Sequence, residues 1–268
     1  MLKQTTLVLA ITLAATACAT TTSPTGRTQY VGAVPQAELN RLGAQAFAQM
    51  KSQKPQTSDA RQRAYVQCVV GAIVRELPAN WQGGWESAVF QDNNANAFAL
   101  PGGKVGIYTG IFNVARNQDQ LAGVIAHEIG HVVSRHHDER ITRQAGAAGA
   151  LQVVSGLLGS RYGQGAGQAA GQFGGIATQA GFLLPGSRAQ ETEADVVGQQ
   201  LMTKAGFDPR AAVSLWQNMI AAGGSRQPQW LSTHPDPQAR IGELQARAAR
   251  LVPAYEQARA SGRRPSCG

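Results

Sequence analysis

Residues 121–133, Leu-Ala-Gly-Val-Ile-Ala-His-Glu-Ile-Gly-His-Val-Val, constrain this chain more than any other stretch. At helical spacing His127 and His131 lie four residues apart and project from one face, so two imidazoles can grip one metal ion, with Glu128 beside them. This is the H-E-x-x-H pattern, in which the histidines bind zinc and the carboxylate takes a proton from water on the metal. Water on zinc has its pKa lowered to roughly 7, so the chemistry indicated is peptide-bond hydrolysis. The neighbours Ile125, Ala126, Ile129, Val132 and Val133 are apolar or small and predict a buried helix. Burying two imidazoles and a carboxylate without partners is costly, which weighs against an idle surface pair.

A catalytic zinc usually takes three protein ligands and keeps one position open for water. His137, six residues after His131, matches the third histidine of H-E-x-x-H-x-x-G-x-x-H, but Ser134 stands where that pattern has glycine. At about 100° per residue, a continuing helix turns His136 and His137 away from the metal and leaves them as a polar helix end. The other candidate is Glu191, in Ser187-Arg188-Ala189-Gln190-Glu191-Thr192-Glu193-Ala194-Asp195. On a helix Glu191 and Asp195 share a face while Glu193 turns away. Glu191 can ligate zinc, and Asp195 can accept the second ring N–H of a zinc-bound histidine.

With 268 residues, 43% hydrophobic and 15% charged, the chain reads as globular with one sizeable core. Its net charge of +8 is spread out and nothing resembles a nucleic-acid module, so no nucleic-acid partner is expected. Arg240, Arg247, Arg250, Arg259, Arg263 and Arg264 read as a solvated face of the last helix and tail. Residues 1–17 read as a secretory signal, with Lys3 ahead of an apolar stretch over 7–15. Ala15-Thr16-Ala17 before Cys18 resembles a bacterial lipoprotein cleavage box, with Ala15 where leucine is usual. Cys18 is therefore the expected lipidation site and 18–34 the tether. Without Asp after that cysteine, the anchor is expected in the outer membrane of a Gram-negative bacterium. Lipidating Cys18 leaves Cys68 and Cys267 to pair in an oxidising periplasm; the rival is a buried thiol at Cys68 and a loose Cys267.

Helical spacing predicts one helix from Pro35 through Leu39, Leu42, Ala46, Phe47 and Met50, and a second after Thr57-Ser58. Short β-type runs follow at 86–91, 96–100 and 105–108, with Pro101-Gly102-Gly103 as a hairpin turn, predicting a small antiparallel sheet. The H-E-x-x-H helix is expected from 117–119 to about 143. Residues 145–186 are glycine-rich and are read as a lid or plug, since so long a connection is usually functional or disordered. Helices are expected at 188–204, from 209 to 222 and after Pro237. The domain is placed at 35–255 and a tail at 256–268.

H-E-I-G-H at 127–131 with S-R-x-x-E-x-E-A-D at 187–195 resembles the HtpX-like and BepA-like zinc metallopeptidases, related to the CAAX prenyl proteases. The resemblance extends to Asn96-Ala97-Phe98-Ala99-Leu100-Pro101-Gly102-Gly103, Arg135-His136, Ser232-Thr233-His234-Pro235 and Arg240-Ile241, covering roughly 36–250. The export signal points to the soluble periplasmic lipoprotein branch resembling LoiP. The resemblance implies an α+β, mostly helical zincin-like domain with one Zn2+ per chain, held by His127, His131 and Glu191. It makes Glu128 the general base. It places His234 near the metal, to stabilise the oxyanion or to cap the water position in a latent form, and sets Arg240 beside Asp195 or another site acid. Asn96, Ala97, Phe98 and Ala99 would present backbone to an extended substrate, as β-augmentation does. The implied function is endopeptidase action on misfolded or stalled envelope proteins, with the outer-membrane assembly machinery as a further partner. The alternative is a periplasmic chaperone or assembly factor with a latent zinc site.

Overall fold

The computed structural model describes residues 19–146, 186–222, 230, 234 and 237–268. The signal segment 1–17, Cys18, residues 147–185 of the glycine-rich segment, and Ser232, Thr233 and Pro235 lie outside the described residues.

The chain is α+β. Strands β1 (Ala19–Thr22) and β2 (Thr28–Val31) pair as an antiparallel hairpin, Ala19 opposite Val31 and Thr22 opposite Thr28. The tether expected over 18–34 is thus structured from residue 19 onward. What anchors it is Arg27, whose guanidinium bridges the distant acids Glu139 and Glu193, a pairing that local composition does not encode. Helix α1 (Gln36–Gln53) buries Leu39, Ala46, Phe47 and Met50, close to the predicted stripe. Helix α2 (Ala60–Val74) is capped by Asp59, whose carboxylate accepts from the Arg61 and Gln62 amides.

Strands β3 (Glu86–Phe90), β4 (Ala97–Leu100) and β5 (Lys104–Tyr108) form a sheet in the order β3-β5-β4. The β4–β5 pair is the antiparallel hairpin expected, but β3 runs parallel to β5, so the sheet is mixed. The reason lies in the loop after β3. It crosses the end of β5, where Thr109 Oγ1 donates to the Asp92 carbonyl and accepts from the Asp92 amide. Gly110 packs directly on the Asn93 carbonyl, where a Cβ would collide. Alternation then serves both faces of the sheet: Val89, Ala97, Ala99, Val105 and Ile107 join the main core, while Phe90, Phe98, Leu100 and Tyr108 pack with Phe47 and Met50 of α1.

Helix α3 (Gln118–Val133) is capped by Asn117 and is apolar or small on every side, hence buried from Gln120 to Val132. It packs on α2, β4 and two later helices, α5 (Arg188–Lys204) and α6 (Ala211–Ala222). The continuous helix expected to about 143 is broken. Ser134 closes α3, Arg135 takes φ +54°, and a new helix α4 runs through residues 136–146. Ser187 and Gln190 form a reciprocal capping box at the start of α5. The last helix, α7, spans Pro237–Ala260. Among the described residues no helix is long and apolar enough to cross a membrane.

Residues of the tail placed at 256–268 are tied to α2 and α3. Gln118 at the start of α3 accepts the Cys267 amide and donates to the Pro265 carbonyl. Cys267 forms a disulfide with Cys68 of α2, closing a separation of 199 residues. Arg240, read among the solvated arginines, is buried and pairs with Asp195, whereas Arg263 stays exposed while pairing with Glu76. Constraining so long a loop should matter most in the unfolded chain. The Cys68→Ala/Cys267→Ala double variant should unfold with about 2–5 kcal/mol less stability in denaturant titration, and reductant should lower the wild type, not the variant.

Candidate metal centre

Four buried side chains converge beneath α3: His127, His131, Glu191 and His234 each offer a ligand atom, all within 4.8 Å of one another. His127 and His131 come from one face of α3 and Glu191 from the first turn of α5. The two helices can meet this closely because small residues line the seam. A Cβ on Gly198 would lie 2.9 Å from His127 Cα, and one on Gly130 2.9 Å from the Ala194 carbonyl oxygen. His127 Nε2 stands 3.1 Å from His131 Nε2 and 3.2 Å from His234 Nδ1. Glu191 Oε2 lies 3.5 Å from His127 Nε2, and Oε1 3.6 Å from His131 Nε2.

The hydrogen-bond network assigns the ring protons. Asp195 Oδ1 lies 2.9 Å from His127 Nδ1, and a carboxylate only accepts, so Nδ1 carries the proton, and in the neutral ring that ligates a metal Nε2 keeps the lone pair. On the other side Glu193 Oε2 lies 3.0 Å from His136 Nε2, which places the proton there. His136 Nδ1 is then an acceptor, 2.8 Å from His131 Nδ1. His131 therefore donates from Nδ1 and also turns a lone pair on Nε2 inward. Burial holds the His131 and His136 rings below the usual histidine range, so both are neutral, as a metal-ligating imidazole must be.

This donor set fits a divalent cation. Two ring lone pairs face each other across 3.1 Å, and Glu191 Oε1, fully buried, has no hydrogen-bond partner among the described residues. Charge leads to the same conclusion. Burial raises Glu128, Glu191 and Asp195, but His234 and Arg240 more than offset it, and all three stay ionised. Arg240 donates from Nε and Nη2 to both oxygens of Asp195 and from Nη1 to Glu191 Oε2. Burial lowers His234, yet Glu191 and Glu128 push it up to about 9. Glu191 and Glu128 thus hold a proton on His234, and a divalent ion would take its place among the same acids. Two imidazoles and a carboxylate are zinc ligands by type.

Glu128 is held by Trp230, whose indole N–H donates to Oε1 at 2.7 Å, with His234 Nε2 3.2 Å from the same oxygen. The structure thus brings together His127, Glu128, His131, Glu191, Asp195, His234 and Arg240. It leaves His137 out of the donor cluster, although His136 and His137 are buried rather than a polar helix end. The break at Arg135 folds His136 back under His131, which a continuous helix forbids. Asn96, Ala97, Phe98 and Ala99 lie at an edge strand whose side chains are buried, leaving backbone as the group a partner could meet. The Trp230 amide donates to the Ala95 carbonyl, tying that edge to the segment bearing His234. Sequence reasoning missed Trp230, His136, Glu193 and Arg27. Trp230 had one local signal, its place four residues before His234, and His136 another, its place five residues after His131; Glu193 and Arg27 are joined only across long separations.

Residues 60–248 match Peptidase family M48. Mitochondrial metalloendopeptidase OMA1 of Schizosaccharomyces pombe is 39% identical over 163 residues, covering 60% of this chain and 46% of that protein. OMA1 of Saccharomyces cerevisiae is 33% identical over 181 residues, 65% of this chain and 50% of its own length. The beta-barrel assembly-enhancing protease of Escherichia coli is 34% identical over 174 residues, 63% of this chain and 35% of that protein. The chain spans half or less of the length of these relatives.

The narrow seam should be sensitive to one methyl group. Gly198→Ala must push α5 from the His127 backbone, costing about 1–3 kcal/mol of overpacking, against which roughly 1 kcal/mol of helix propensity is regained. The variant should melt at lower temperature and hold zinc more weakly in chelator competition.

Proposed function

The chain belongs to peptidase family M48, and we propose that it is a zinc-dependent endopeptidase. The observation that carries this reading is the buried donor cluster with the ionised, indole-oriented Glu128 at its side. His127, His131 and Glu191 would hold one zinc ion. When bound, zinc supplies Lewis acidity that polarises the scissile carbonyl and acidifies water.

The rest of the work falls to this chain's own groups. Glu128, oriented by Trp230 Nε1–H, takes a proton from the attacking water and delivers it to the departing amide nitrogen. His234 presents a ring N–H to the developing oxyanion. Asp195, clamped by Arg240, keeps His127 in the Nδ1–H tautomer with Nε2 inward. The β4 edge offers main-chain hydrogen bonds to an extended polypeptide, a mode that reads backbone shape and suits unfolded clients.

The setting belongs to the same proposal. The segment 1–17 and Cys18 would export the chain and anchor it by lipid to the periplasmic side of the outer membrane. The Cys68–Cys267 disulfide supports an oxidising compartment. Clients would be misfolded or stalled envelope proteins. The name of the Escherichia coli relative favours outer-membrane β-barrels among them.

A second reading rests on His234. Its Nδ1 joins the other donors, and four protein ligands make a closed site rather than one with an open position. In that state the protein would act as a chaperone or assembly factor with latent chemistry.

Metal content by elemental mass spectrometry, with casein cleavage with and without chelator, tests both. Wild type should carry about one zinc per chain, and chelator should stop cleavage. Glu191→Gln should lose the metal. Glu128→Gln should keep it and cleave about 10²–10⁴-fold more slowly. Full metal in Glu191→Gln overturns the ligand set. Zinc binding without cleavage, together with full envelope-stress function in Glu128→Gln, overturns the protease reading in favour of the chaperone.

A further inference from the structure

The two histidines of α3 are supported differently. His127 donates directly to a carboxylate, Asp195. On its Nδ1 side His131 meets a second ring, His136, which passes the constraint on to Glu193. Glu193 is itself held from the far N-terminal end of the described chain. Arg27 donates to its Oε2 from Nε at 3.0 Å and Nη2 at 2.8 Å, and Thr25 Oγ1 donates to Oε1 at 2.6 Å. The same guanidinium grips Glu139 of α4 with two bonds of 2.8 Å. Thr25 and Arg27 both lie in the turn of the β1–β2 hairpin, more than a hundred residues from these partners.

We propose that the N-terminal hairpin is a working part of the metal site, with Arg27 fixing Glu193, Glu193 fixing the His136 tautomer, and His136 holding His131 with Nε2 toward the metal. Arg27, Glu193 and His136 are positioning residues. The inference rests on the zinc reading above and adds to it a support that reaches outside residues 60–248, the span that matches the family.

The geometry explains three otherwise separate features. Arg135 accepts φ +54°, a conformation costly for a non-glycine residue, and that turn brings His136 beneath His131. Glu193 points away from the metal on α5, and that is the side on which the hairpin docks. Arg27 spans α4 and α5 at once, so it fixes the distance between the helix that carries His136 and the helix that carries Glu193. Without Arg27 the Glu193 oxygen that meets His136 Nε2 loses both guanidinium donors, while Thr25 still holds the carboxylate by its other oxygen. His136 can then take its other tautomer, which meets His131 donor to donor unless His131 shifts its own proton to Nε2, where it blocks the lone pair that faces the metal.

The test uses the full chain. Zinc affinity is measured by chelator competition, and the His131 and His136 tautomers by nitrogen shifts in ¹⁵N-histidine-labelled, metal-free protein. Arg27→Ala and Glu193→Gln should each weaken zinc binding about 10–100-fold, the range for loss of an outer support of a ligand. They should also shift His131 away from the Nδ1–H form. Thr142→Val removes the hydroxyl that accepts the Ala33 amide, loosening the hairpin's exit elsewhere, and should leave the His131 tautomer unchanged. If Arg27→Ala does not fold, Arg27→Lys carries the test, since one ammonium cannot bridge both acids as the guanidinium fork does. A folded wild type that binds no zinc sinks the metal reading itself. Wild-type zinc binding with unchanged affinity and tautomers in the Arg27 and Glu193 variants overturns this inference alone.

Discussion

The structure depends on the close approach of two helices across a seam of small residues. Gly130 on α3 and Gly198 on α5, with Ala194 between them, let the backbones come near enough for side chains of both helices to share one centre. What they share is charge, placed where water cannot solvate it. Carboxylates buried like Glu191 and Asp195 persist only when cations and donors surround them. The arrangement around the centre is the consequence of that requirement.

Helix α5 meets it on two sides. Its acids recur at every second position, so Glu191 and Asp195 face the histidines and Glu193 faces outward. Two arginines from opposite ends of the chain close the two sides. Arg240, on the last helix, grips Asp195 with both arms of its fork while lying over the Trp216 ring. Arg27, ahead of the first helix, bridges Glu193 and Glu139. Bidentate guanidinium pairs hold direction as well as charge. Arg240 therefore orients the carboxylate that meets His127, and Arg27 the carboxylate that meets His136 and, through that ring, His131. The N-terminal hairpin and C-terminal helix, both peripheral in sequence, thus become the outer layer of the same site. The C-terminal tail adds a covalent tie, since the Cys267 disulfide and the bonds of Pro265 and Cys267 to Gln118 join the end of the chain to the middle of α2 and the start of α3.

Much of this was legible from residues alone wherever the information was local. The spacing of His127 and His131, the shared face of Glu191 and Asp195, the stripe of α1 and the Pro101-Gly102-Gly103 turn each depend on a few neighbouring positions, and each appears where spacing put it. The convergence of Glu191, His234 and Arg240 on the histidines entered through family resemblance, and the structure brings them together. The misreadings share one cause. The parallel β3–β5 pairing depends on a loop crossing beneath Gly110, and the order in residues 19–31 depends on acids more than a hundred positions away. Helical extrapolation past Val133 failed at one dihedral, that of Arg135, a residue type giving no warning of a left-handed turn.

The sequence by itself determined the chemistry of the centre: which residue types are present, at which helical spacing, and therefore that two imidazoles and acids of matching reach are available for a metal. Only the tertiary structure decided which nitrogen of each ring faces inward and what holds it there. Tautomer and orientation are set by the partner on the far side of the ring. For His131 that partner is His136, folded back by a break in the helix and fixed through Glu193 by an arginine from the other end of the chain. Periodicity along one segment carries no information about such contacts, because they arise only when distant segments are packed against each other.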